Sequence, residues 1–187
     1  MQVVLLGGNK RHYTYADYLA IEDDKRYEVL GGDLMMVPAP STLHQRLSWE
    51  IGFALGRFVK ESNLGYIFDA PTDVVFAEDV VAQPDILFVG RERANIIEKQ
   101  AIMGAPDLVV EILSSSSTFN DMVKKREIYQ RYGVKEYWVV FPEEKAIEVS
   151  TLEEGVYRDF SSAKDEGSVK SKVLKGLEIE IKDVFVS

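Results

Sequence analysis

The stretch DLVVEILSSSS, residues 107–117, sets one carboxylate, Glu111, in the middle of an otherwise apolar run. A charge taken out of water costs several kcal/mol unless a cation or hydrogen-bond donors compensate it. A second run, PDILFV at residues 84–89, is just as oily. Both faces of both runs are apolar, which is how strands covered on two sides read. Alternation puts Asp85 on one face with Leu87 and Val89, and Glu111 on one face with Val109 and Leu113. If the two strands lie side by side in one sheet, their carboxylates converge on a single hard cation. Oxygen ligands are what Mg²⁺ or Mn²⁺ prefers, and such an ion is the compensation that Glu111 needs.

A lysine completes the group. The spacing predicts a helix over 121–132, in which Lys125, Ile128, Tyr129 and Tyr132 fall at i, i+3, i+4 and i+7. Two aromatics and an isoleucine make that stripe the inward one, so Lys125 faces the sheet while Lys124 and Arg126 point elsewhere. An ammonium beside two carboxylates stays charged, and it can orient or stabilise a hydroxide made at a metal.

Around this centre the remaining pattern is mixed. Residues 13–24 read as a short acidic helix, and 26–38 as two strands about Gly31-Gly32. Residues 41–62 give the clearest helix, capped by Ser41, with Leu43, Leu47, Ile51, Ala54, Leu55 and Phe58 in helical spacing. Residues 65–77 give two strands around a proline turn. EYWVVF at 136–141 is a strand, 147–152 and 156–160 a peripheral hairpin, and 177–181 a late strand. The expectation is an α/β (α+β) fold in one domain over 1–187: a mixed central sheet flanked by helices, strands 84–89 and 107–113 adjacent in it.

Composition bounds the setting. Of 187 residues, 46% are hydrophobic and 28% charged, ordinary values for a globular chain with one core. Cysteine is absent, which excludes disulfides and thiolate metal sites. The opening MQVVLLGGNKRHY is too short for a signal peptide or membrane span, so the expected location is the cytoplasm, with no membrane partner. A net charge of −9 argues against broad phosphate affinity but not against a local cationic mouth. Residues 120–135 hold five Lys or Arg against two Asp or Glu. Aromatics at 11% and the peripheral hairpin point to a homodimer.

Pro84-Asp85 followed by Glu111 on the next strand resembles the PD-(D/E)xK nuclease superfamily. More narrowly, RYEVLGGDL, PAPSTLH, QPDILFVG, GAPDLVVEILSSSS, the spacing from Asp121 to Lys125, and GVKEYWVVFP are similar to the Uma2 family of endonucleases. These matches run in order from about residue 13 to the C-terminus. The lysine that the superfamily places two residues after the glutamate is Leu113 here, and the resemblance carries that role to Lys125 on the following helix. Ser115 stands where the family commonly has proline. The resemblance implies a restriction-endonuclease-like fold and an endonuclease acting on DNA, with Asp85 and Glu111 holding Mg²⁺ or Mn²⁺ and Lys125 catalytic. It adds Glu28 as a position facing the site and His44 as a support for proton transfer or phosphate binding.

Each residue has a competing structural reading. Asp85 can open a strand and cap a turn, and Glu111 can pair with Lys125 without a metal. Lys125 can pack its stem and send its head to water. Glu28 is a third ligand, a supporting group or a plain edge-strand acid. A histidine at a helix start is often surface. Asp107 follows a second Pro-Asp pair and is expected to face a turn. The serines at 114–117 read as a polar turn and helix cap, since no nucleophile elbow accompanies them. The expected substrate path crosses the basic face at 124–135. Two other functions use the same residues: a nuclease fold that binds without cutting, and a small-molecule phosphodiesterase.

Overall fold

The computed structural model describes residues 12–114 and 119–186. The opening stretch up to Arg11 and the serines Ser115, Ser116 and Ser117, read above as a turn and cap, lie outside the described residues.

Helix α1 (Tyr15–Leu19) leads into strands β1 (Arg26–Leu30) and β2 (Asp33–Val37). Gly31 and Gly32 join the two strands at φ +67° and +81°. A two-residue hairpin loop of this kind needs positive φ at both positions, where glycine has no steric penalty. The long helix α2 (Thr42–Glu61) follows, then β3 (Gly65–Asp69), β4 (Val74–Ala77), β5 (Val80–Ala82) and β6 (Ile86–Gly90). A short turn of 3-10 helix, Arg91–Ile96, leads to β7 (Ile102–Met103) and β8 (Leu108–Ile112). Helix α3 (Phe119–Tyr132), strands β9 (Glu136–Phe141), β10 (Ala146–Glu153), β11 (Val156–Lys164), β12 (Ser168–Lys170) and β13 (Glu178–Glu180), and helix α4 (Ile181–Val184) complete the chain.

The central sheet has six strands in the order β11-β10-β9-β8-β6-β3. It is mixed, since β8 and β9 run parallel while β6 and β8 run antiparallel. The expected neighbours, 84–89 and 107–113, are therefore adjacent. A second sheet runs β2-β1-β5-β4-β7, and β12-β13 form a small third one. Residues 65–77 do form two strands, but β3 joins the central sheet and β4 the second one.

The two faces of the central sheet explain its oily strands. One face, with Ile86, Phe88, Leu108, Val110, Ile112 and Trp138, packs on Leu47, Ile51, Leu55 and Val59 of α2 and on Val169, Ile179 and Ile181. The other, with Leu87, Val89, Val109 and Tyr137, meets Ile128 and Tyr129 of α3 and Leu30, Val74 and Val80 of the second sheet. Two-sided burial leaves no strand face for polar residues. Leu43 departs from the expected helical core: it is 39% exposed, because it lies beyond the stretch of α2 that covers the sheet.

Asp107 is buried rather than turned to solvent. It accepts from the Gly90 amide at 2.8 Å and pairs with Arg93 at 3.0 Å and Lys135 at 2.7 Å, tying the starts of β8 and β9 to the end of β6. Burial opposes its charge, yet Lys135, the Gly90 amide and Arg93 together hold its carboxyl below the usual value. Glu136 plays a similar part: fully buried, it accepts from Trp138 Nε1, the Ser171 hydroxyl and the amides of Lys172 and Val173.

Candidate active site

The seam between the two large sheets opens into a cleft of about 640 Å³ lined by Glu28, His44, Gln83, Asp85, Glu111 and Lys125, among others. Each reaches it for a local reason.

Ile86 pairs with Val110 across β6 and β8. One register step beyond this pair, Asp85 stands opposite Glu111. Residues directly opposite on antiparallel strands send their side chains to the same face, with Cβ atoms about 5 Å apart. The backbone ladder ends here, and the Asp85 Oδ2 takes the Ile112 amide at 2.7 Å in its place. Glu111, on an inner strand, is 8% exposed.

Glu28 comes from the other sheet. On β1 its neighbours Tyr27 and Val29 fill a separate cluster beneath α1, whereas Leu30 shares the core between the sheets. Period-2 alternation then turns Glu28 inward with Leu30. It is 1% exposed, and its Oε1 accepts from the Gln83 amide at 2.7 Å. Gln83 is held in turn by its side-chain amide, which donates to Asp73 at 2.8 Å and to the Tyr18 hydroxyl at 3.2 Å.

Lys125 reaches in from α3 and bridges the sheets. Its Nζ lies 2.9 Å from Glu28 Oε1, 3.1 Å from Glu111 Oε1 and 3.2 Å from Glu111 Oε2. One turn further, the Tyr129 hydroxyl donates to Glu111 Oε1 at 2.5 Å. Burial works against the ammonium, but Glu111 and Glu28 outweigh it and hold the Lys125 pKa above its ordinary value. Burial is also the largest influence on Glu111, whose carboxyl is pushed up to about 7 with Asp85 and Glu28 adding to it and Lys125 and Tyr129 opposing.

His44 sits in the first turn of α2, where its amide donates to the capping Ser41 hydroxyl at 3.2 Å. That turn aims the imidazole at the sheet end, with Nε2 3.1 Å from Asp85 Oδ2. The buried Nδ1 has no partner among the described residues. Burial alone would lower the His44 pKa; Asp85 reverses this and leaves it raised.

All five residues singled out in the sequence thus line one cleft. Gln83, which lines the cleft, and Tyr129, buried behind it against Glu111, were missed. Tyr129 carried a signal, falling four residues after Lys125 on the inward stripe, but read only as core. Gln83 carried none, because its contact is through a backbone amide. On the basic face expected at 124–135, Lys124 pairs with Asp33 at 2.9 Å, Lys125 is buried in the cleft, Lys135 holds Asp107, and Arg131 is exposed. Arg126 bonds Ser150 and lies over the Tyr157 ring, its guanidinium carbon 5.1 Å from the centroid.

The donor set suits a hard cation shared with water and substrate. Mg²⁺ is commonly held by one or two carboxylates, with waters and phosphate oxygens filling the remaining positions. Asp85 and Glu111 supply two opposed carboxylates, and Glu28 Oε2 is a buried acceptor without a donor among the described residues. Among the described residues no three His, Asp or Glu side chains are grouped to cage an ion unaided. No helix among them is long and apolar enough to cross a membrane.

Comparison with known proteins bears on the fold and the family. A crystal structure described as a "putative nuclease belonging to DUF820", from Anabaena variabilis ATCC 29413, superposes with a TM-score of 0.77. The two are 22% identical, over 92% of this chain and 97% of that one, so they share the fold. No curated protein matches the sequence. The sequence model of the Uma2 family, described as "putative restriction endonuclease", matches residues 15–182, and the chain belongs to that family.

Proposed function

We propose that this chain, as a single domain, is a metal-dependent endonuclease that hydrolyses phosphodiester bonds in DNA. The observation that carries the reading is the meeting of Asp85, Glu111, Glu28 and Lys125 at the floor of one cleft, from two sheets and a helix. Asp85 and Glu111 would hold Mg²⁺ or Mn²⁺, which when bound supplies Lewis acidity to a phosphate oxygen and acidifies a water. Lys125 positions the attacking oxygen and offsets the negative charge that gathers on the five-coordinate phosphorus. Glu28 keeps Lys125 charged and pointed inward, and Tyr129 fixes the orientation of the Glu111 carboxylate. His44, hydrogen-bonded to Asp85 through Nε2, carries a proton to or from the site. In-line attack then breaks the phosphodiester. The protein would work in the cytoplasm as a homodimer, for which the exposed Val156 and Phe160 of the outer strand β11 offer an edge.

The test is a calorimetric titration with Mn²⁺ beside a cleavage assay on several DNA substrates. The unmodified protein should bind and cut; Glu111→Ala should do neither. Equal Mn²⁺ binding by the two proteins would remove the metal from Glu111.

A second reading, a nuclease fold that binds without cutting, draws on one observation. Lys125 already contacts both Glu111 oxygens, as a cation replacing a metal would. DNA binding with neither Mn²⁺ binding at Glu111 nor cleavage of any substrate would favour it.

A further inference from the structure

Helix α2 has a second apolar face that its core packing does not use. Trp49 is 69% exposed and Phe53 55%, one turn apart, with rings stacked at 6.3 Å between centroids and 21° between planes. Arg57, a turn further on, stands over the Phe53 ring, its guanidinium carbon 5.8 Å from the centroid. All three line the same cleft as Asp85, Glu111 and Lys125.

Two glycines share that wall. Glycine inside a helix costs about 1 kcal/mol relative to alanine, so its presence calls for a reason. Packing gives none: a Cβ on Gly56 would meet nothing within 4 Å, and one on Gly52 would make only an ordinary contact with Ile86 at 3.9 Å. Bare helix backbone beside exposed rings leaves room for a flat group to come close.

We infer that Trp49, Phe53 and Arg57 form a stacking platform for unpaired nucleobases, so that the preferred substrate presents a single-stranded segment at the cleft. This rests on the nuclease reading above, which puts the phosphodiester at Asp85 and Glu111, on the same cleft. Every base has a face that stacks on an aromatic ring, and arginine adds a cation–π contact. Those faces are available only where bases are unpaired and unstacked. Duplex binding relies instead on many free cations along the backbone, and this chain has a net charge of −9, with Lys124, Lys125 and Lys135 of its densest basic segment already paired with acids.

The two tryptophans make the test direct, because Trp138 is fully buried and Trp49 is the one left to respond. The full chain, with chelator present to prevent cleavage, is titrated with an oligothymidylate of about ten nucleotides and with a duplex of equal length, following tryptophan emission. The single strand should quench, and the duplex should need about tenfold more for the same effect. Phe53→Ala, at an exposed position, should weaken single-strand binding about tenfold and leave the melting temperature unchanged. Equal affinity for both strands, or no effect of Phe53→Ala, would overturn the platform. So would blue-shifted, unquenched emission from a particle of twice the monomer mass, which would make the ridge a contact between copies. Quenching without metal-dependent cleavage of any substrate would support the platform and count against the chemistry alone. Cleavage without strand preference in binding would count against the platform alone.

Discussion

Lys125 and Glu28 meet at 2.9 Å across the seam between helix α3 and the second sheet, with only 1% of Glu28 exposed. A carboxylate so buried is stable beside a cation and expensive without one. The lysine therefore has a structural role as well as its proposed chemical one, and the two separate by experiment.

Lys125→Ala should leave Mn²⁺ affinity intact or improve it, because the ammonium competes with the ion for Glu111. Metal-dependent cleavage should fall by about 10², the typical worth of one preorganised electrostatic group. Lys124→Ala, one position away and paired with the exposed Asp33, controls for the lost positive charge and should change cleavage little. Equal losses from the two substitutions would reduce Lys125 to part of a charged surface.

Tyr129→Phe removes one donor from Glu111 and keeps the ring in the core. That bond opposes the upward pull of burial on the Glu111 carboxyl, so without it Glu111 holds its proton to higher pH. Cleavage should drop about tenfold at neutral pH, a deficit that shrinks as pH rises well above 7 and levels off below about 7. A deficit that is constant with pH would show that the hydroxyl does not act through Glu111.

Asp107→Asn should lower stability by about 1–3 kcal/mol in neutral solution, the range for hydrogen bonds to charged groups. The native carboxyl sits below its ordinary value. Its contribution is therefore complete above about pH 4 and is lost as pH falls through the native value. Denaturant midpoints of the two proteins should converge in acid; a gap that persists there would exclude the carboxylate as its source.

Light scattering at micromolar concentration should return twice the monomer mass. Phe160→Lys, on the outer strand, should shift the particle toward monomer, since a charge on an exposed edge opposes pairing. A monomer in the unmodified protein would end the homodimer proposal.

Much of the arrangement was legible because its decisive signals are local. Two strands with apolar residues on both faces had to be inner strands, and the carboxylates at their ends then had few places to go. The α3 stripe oriented Lys125 by helical period alone. The second sheet was hidden for the opposite reason. Strand β5 has three residues and β7 two, below the length at which alternation can be read. Its pairings, such as Val29 with Val81, join segments far apart in the chain, and no local pattern records them. The charge at 124–135 was legible but its partners were not: Lys124, Lys125 and Lys135 each face an acid from another part of the fold.

The five cleft residues run from Glu28 to Lys125 and arise from two sheets and two helices. An unfolded chain scatters them, so an ion held there binds the native state alone. Its binding free energy then adds to the folding free energy, by about 2.7 kcal/mol at a hundredfold excess over the dissociation constant. Melting temperature should therefore climb with Mn²⁺ concentration, which makes the heat resistance of this protein a gauge of its cation supply.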